Sequence, residues 1–112
     1  MRGAAIAALA CALSLPAAAQ PVTGAQLYAR ADKGNCIACH QLPAGAGPAT
    51  RSDVGPKLEG TRMRELGKAR LRELIVDPTR LDPNTVMPPY GRHRILDAAE
   101  IDRLVEYLHA LP

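Results

Sequence analysis

An all-α fold is what this sequence predicts, and three observations predict it. Ile101, Leu104, Val105, Leu108 and Leu111 recur at helical spacing, the signature of one buried helix face. No run alternates apolar with polar residues as a half-buried strand would, and no internal repeat is present. The third observation is a short motif, Cys36-Ile37-Ala38-Cys39-His40, about which the rest is arranged. At 112 residues the chain suits one domain.

Residues 1–19 read as a leader. Arg2 gives a basic start, Ala4 to Leu15 an apolar run, and Ala17-Ala18-Ala19 a small-residue cleavage site. This is the pattern of a secretory signal peptide, cleaved before Gln20, which leaves a domain over 20–112 and places it in the periplasm. The apolar run is too short to cross a bilayer and Pro16 interrupts it, so no membrane span is expected. A lipoprotein would carry its lipid on Cys11, but Ala8 rather than Leu stands three residues before it.

Thr23 to Ala31 predicts a short helix capped by Thr23, with Leu27 and Tyr28 lying among alanines and Gln26. Gly34-Asn35 ends it. Gln41 to Asp53 is loop, built on Pro43, Gly45, Gly47 and Pro48. Lys68 to Val76 predicts a second helix with Leu71, Leu74 and Ile75 on one face, stopped at Asp77 because the residue before Pro78 is pushed out of the α region. Thr79 to Arg94 is irregular and proline-rich. Asp97, with Glu100 three residues on, forms a capping box for the last helix.

Cys-x-x-Cys-His is the attachment pattern of a c-type haem. Two thiols add across the two porphyrin vinyl groups, and the adjacent histidine becomes the proximal iron ligand. A thioredoxin-like redox pair would want a βαβ pattern, which is missing. A zinc site would want a second ligand pair, and His93 and His109 are both distant. Removal of the leader takes Cys11 and leaves Cys36 and Cys39 as the remaining cysteines, both committed to the haem, so no disulfide is expected. The chain has no Phe or Trp. A covalently held porphyrin would supply the large apolar body that the side chains lack, and the apo-protein is expected to fold poorly.

The iron needs a sixth ligand. Met87, within Asn84-Thr85-Val86-Met87-Pro88-Pro89-Tyr90, sits in a segment stiffened by two prolines, which suits a weak thioether ligand. Met63, within Thr61-Arg62-Met63-Arg64, lacks such stiffening, and helical methionines are usually core filler. His93 is the rival ligand. His/Met ligation raises the reduction potential and leaves no position for substrate, so such an iron passes electrons. The Pro56 carbonyl is expected to accept the ring N–H of His40 and fix its orientation, with Pro48 the competing candidate.

Gly24 and Tyr28 of the first helix are set to meet Leu104 and Tyr107 of the last. This small-against-aromatic contact resembles the terminal-helix crossing of class I cytochromes c, which implies three to four helices around one covalently bound haem. The net charge of +3 falls by one with the leader and two haem propionates would roughly cancel it. Arg62, Arg64, Lys68, Arg70 and Arg72 form a basic stretch, read as a solvated helix face with an acidic docking partner as the alternative. No nucleic-acid partner is expected for an exported chain whose aromatics are three tyrosines.

The residues from Gly34 to Pro43, Val54-Gly55-Pro56-Lys57-Leu58, Asp77-Pro78-Thr79, the Asn84 to Gly91 block and Ile95-Leu96 with Glu100-Ile101 are similar to the SoxX family of sulfur-oxidation cytochromes. The Gly-Asn-Cys start, the Leu-Pro after the motif and Asn-Thr-x-Met-Pro-Pro carry the resemblance. It implies a SoxA-type partner in a heterodimer, with a soluble cytochrome as electron acceptor. In that family the complex couples thiosulfate oxidatively to a carrier-protein cysteine, as an L-cysteine S-thiosulfotransferase. The catalytic haem belongs to SoxA, so the resemblance implies no catalytic residue on this chain. A free-standing monohaem carrier, and a haem enzyme or gas sensor with an open sixth site, are the competing readings.

Overall fold

Three helices organise the computed structural model, which describes Met1 and residues 12–112. They are α1 (Gly24–Ala29), α2 (Gly60–Val76) and α3 (Ala98–His109), with single 3-10 turns at Cys36–Ala38 and Pro78–Arg80. No strand occurs among the described residues. Most of the leader's apolar run, and Cys11, lie outside them. Residues 12–22 form no helix, and of these Val22 packs at the edge of the core.

A capping box starts α1: Thr23 Oγ1 accepts the Gln26 N–H at 3.2 Å and Gln26 Oε1 accepts the Thr23 N–H at 2.9 Å. The helix stops at Ala29, two residues short of the sequence expectation, because a turn takes over its last carbonyls. Gly34 N–H donates to Leu27 O and Asn35 N–H to Arg30 O. Asn35 then adopts a left-handed conformation (φ 47°), which asparagine tolerates, and turns the chain into the motif.

The second helix departs from the sequence reading, since it begins at Gly60 rather than Lys68. Glu59 gives it no side-chain cap. Gly60 N–H instead donates to Pro112 O at 2.9 Å, and the Arg64 guanidinium bonds Leu111 O at 2.7 Å. The end of the helix that the local sequence leaves bare is thus closed by residues far along the chain. Met63 is buried there as core filler. Gly67 (φ 75°, ψ 160°) breaks the helix axis, in a region of backbone space open to glycine alone. Beyond it Leu71 and Ile75 are buried and Leu74 is half-buried.

The last helix follows its pattern. Asp97 Oδ1 accepts the Glu100 N–H at 2.8 Å and Glu100 returns the bond to Asp97 N–H at 3.0 Å. Its buried face, Ile101, Leu104, Val105 and Leu108, continues to Leu111. Each such side chain is worth roughly 1.5–3 kcal/mol on burial. That face packs on both α1 and α2. At the crossing with α1, a Cβ on Gly24 would collide with the Arg103 carbonyl oxygen and the Tyr107 Cβ. One turn on, Tyr28 meets Tyr107 edge to face, with ring centroids 6.0 Å apart and planes at 60°.

Arg62, Arg64, Lys68 and Arg70 lie exposed on α2, with Arg72 half-buried beside them. Lys68 pairs with Glu106 at 2.8 Å, Arg72 with Asp102 at 2.9 Å, and Arg70 with Glu73 at 2.9 Å. The first two join α2 to α3 directly at the exposed surface.

Candidate functional site

The motif is wound into its 3-10 turn. Ala38 N–H bonds Asn35 O, and Cys39 and His40 N–H both bond Cys36 O, at 3.1 and 2.9 Å. The turn brings Cys36, Cys39 and His40 together within one winding of chain. Both cysteines are free and half-buried. Burial pushes the Cys36 thiol up to about 11, and nearby Cys39 adds to the shift. At neutral pH it is an apolar thiol rather than a thiolate.

His40 Nδ1 lies 2.7 Å from the carbonyl oxygen of Pro56. A carbonyl can only accept, so Nδ1 carries the proton and Nε2 keeps a lone pair for a metal. The Pro56 segment is registered on the motif by Gly55 N–H to Cys39 O at 2.8 Å and Leu58 N–H to Gln41 O at 2.9 Å. Gly55 lies flat against the imidazole: a Cβ there would stand 2.7 Å from Nδ1 and 2.8 Å from Nε2. Pro48 is exposed, in the loop between Gln41 and Asp53.

Met87 is half-buried and packs against the core edge. Its N–H donates to Thr85 Oγ1 at 3.2 Å, and Thr85 N–H to Asp82 O at 3.1 Å, so the approach to Met87 is stitched locally. Pro88 and Pro89 follow it. Met63, at 3% exposure, lies inside α2 and packs in the core. His93 is exposed, its backbone N–H bonded to Pro89 O.

Three residues that sequence reasoning did not place at the site lie in it. Gly55 is one. Tyr28 is the second, its hydroxyl donating to His40 O at 2.7 Å. Tyr90 is the third: its buried hydroxyl donates to Gly34 O at 2.6 Å, and burial pushes that phenol up to about 12. The Gly-Pro pair after the motif could have marked Gly55. The tyrosine bonds leave no sequence signal, because their acceptors are backbone carbonyls far along the chain.

The donor set fits a haem c: two unpaired thiols three residues apart, an imidazole with Nε2 free, and a thioether on a stiff loop. Among the described residues no group of three or more His, Cys, Asp or Glu side chains gathers as a metal site of the zinc kind. No described helix is long and apolar enough to cross a membrane.

A family model described as cytochrome c oxidase, cbb3-type, subunit III matches residues 19–108. Among solved structures the chain is similar to the crystal structure of SoxXA from P. pantotrophus, with a TM-score of 0.67 at 23% identity over 78% of this chain and 77% of that chain. At that identity the likeness speaks for the fold, a class I cytochrome c-like all-α domain. No curated protein matches the sequence. With Cys36 to His40 inside the matched span, the cofactor is one covalently bound haem c with its iron.

Proposed function

The chain belongs to the cytochrome c family described as cytochrome c oxidase, cbb3-type, subunit III, and from that premise we propose that it is the electron-transfer subunit of a SoxXA-type complex. In this reading the complex works in the periplasm and couples thiosulfate oxidatively to a carrier-protein cysteine. When bound, haem c supplies a one-electron iron couple. Cys36 and Cys39 would carry the thioether bonds, His40 Nε2 and Met87 Sδ would ligate the iron, and Pro56 O would hold the imidazole in its tautomer.

The observation that carries the reading is the bond from His40 Nδ1 to Pro56 O, which frees Nε2, combined with a half-buried thioether on a proline-stiffened loop. Nitrogen and soft sulfur donors together favour a high potential and a closed coordination sphere. The side chains around them then bind, orient and exclude water. Cys36 and Cys39 are the cysteines of the 20–112 domain, so sulfur bond-making has no anchor here and falls to a SoxA-type partner. Electrons would leave to a soluble cytochrome. The SoxX-like segments and the SoxXA fold likeness support that partner, and the signal-peptide pattern supports export.

The test is Met87→Ala in the holoprotein. It should open the iron to carbon monoxide and lower the potential, and an unchanged spectrum would sink the ligand assignment. Affinity capture from thiosulfate-grown cells tests the complex, with recovery of a second cytochrome as the expected result. The second reading is a free-standing monohaem carrier for another periplasmic redox enzyme, since a cytochrome c domain does not of itself name a partner. Capture without a second cytochrome would favour it.

A further inference from the structure

We propose that Tyr90 is a positioning residue that holds the Met87 loop in register with the haem-attachment segment; the inference rests on Met87 being the sixth ligand. All three tyrosines donate to backbone carbonyls in the stretch around the motif: Tyr28 to His40 O, Tyr107 to Ala46 O and Tyr90 to Gly34 O. Tyr28 and Tyr107 sit on α1 and α3, which their own apolar burial already fixes. Tyr90 does not. It belongs to a stretch without an α-helix between Asp77 and Asp97, and its phenol joins that stretch to Gly34, two residues before Cys36.

Tyr90 is also a hub for its own loop. Its carbonyl accepts from Ile95 and Leu96 N–H at 2.9 and 3.1 Å, and its N–H donates to Pro88 O at 3.0 Å. Pro88 and Pro89 have φ locked near −65°, so few soft torsions separate Met87 from Tyr90. Fixing one end therefore fixes the other. Gly91 and Arg92 N–H bond Val76 O, which ties the loop to α2 but gives it no register on the motif. The phenol supplies that register, and with it resistance to the departure of Met87 from the iron.

The test is a titration of ferric holoprotein with imidazole, followed by the long-wavelength thioether-to-iron charge-transfer band. Tyr90→Phe keeps the ring and removes the hydroxyl. Imidazole should bind up to about tenfold more tightly, the effect of one ordinary net hydrogen bond on the loop's opening, with haem content unchanged. Tyr107→Phe loses a like bond, to Ala46 O, away from the loop, and should leave imidazole affinity where it was. An unchanged affinity in Tyr90→Phe, or an equal shift in both variants, overturns the proposal.

Should Tyr90→Phe yield no holoprotein, amide exchange on the native protein decides. The Ile95 and Leu96 amides, bonded to Tyr90 O, should lose protection when imidazole displaces Met87. Retained protection means that Met87 leaves without Tyr90, against the proposal. A native ferric protein with no thioether band would instead remove the Met87 assignment, and this inference with it.

Discussion

Gly55 lies against the face of the His40 imidazole whose Nδ1 bonds the next residue's carbonyl, Pro56 O, at 2.7 Å. The contact leaves no room for a methyl group, so Gly55→Ala must turn the ring or push the Pro56 segment away. The variant should mature with a clearly lower ratio of haem to polypeptide than the native protein. What does mature should be destabilised by about 1–3 kcal/mol, the range for overpacking. Haem absorbance per unit protein and a denaturant titration check both.

Gly24 and Gly67 are needed for different reasons. At Gly24 a Cβ would strike the Arg103 carbonyl and Tyr107. Gly67 has nothing within 4 Å of that position, but φ 75° and ψ 160°. Each Gly→Ala change should cost about 1–3 kcal/mol. Near-UV circular dichroism separates them: Gly24→Ala should alter the tyrosine signal of the Tyr28–Tyr107 pair, and Gly67→Ala should leave it unchanged.

Lys33 and Glu100 form a pH-sensitive joint. Lys33 Nζ sits 2.6 Å from Glu100 Oε1, and the carboxyl is nearly buried. The Lys33 bond, helped by the Asp97 N–H, holds Glu100 below the usual carboxylate range against the cost of burial. The folded pKa therefore lies below the unfolded one, about 4.3. The stabilisation is complete above the unfolded value and is lost as pH falls through the folded one. Glu100→Gln should flatten this part of the acid limb of stability against pH. Glu100→Ala should also lose about 1 kcal/mol near neutrality, with half of the capping box gone. Urea midpoints from pH 7 downward measure both.

The exposed pairs should matter little. Lys68→Ala breaks a 2.8 Å contact with Glu106 whose partners are 49% and 65% exposed, and should cost about 0.2–1 kcal/mol. The loss should shrink in high salt.

The Thr23 cap and the Asp97–Glu100 capping box were legible in the sequence because such partners lie within four residues; the return bond from Gln26 to Thr23 was added by the structure. The front half of α2 was not. Thr61, Arg62, Arg64 and Glu65 blur its periodicity, Gly60 and Gly67 read as breakers, and Pro112 O closes its bare end from far along the chain. The Gly24 crossing was legible from small and aromatic residues at matching places. Tyr90 was not, since a phenol names no acceptor and Gly34 is 56 residues away.

The crossing of α1 with α3 also sets a chronology. It joins the first and last of the described helices, so Gly24 has nothing to fit until Arg103 and Tyr107 have been made. Pairings so distant in sequence form late, once the intervening chain is available to close. A polypeptide emerging N-terminus first thus presents Cys36, Cys39 and His40 as open chain well before α3 arrives. The thiols are accessible to attachment chemistry early, and the helix that completes the core comes last.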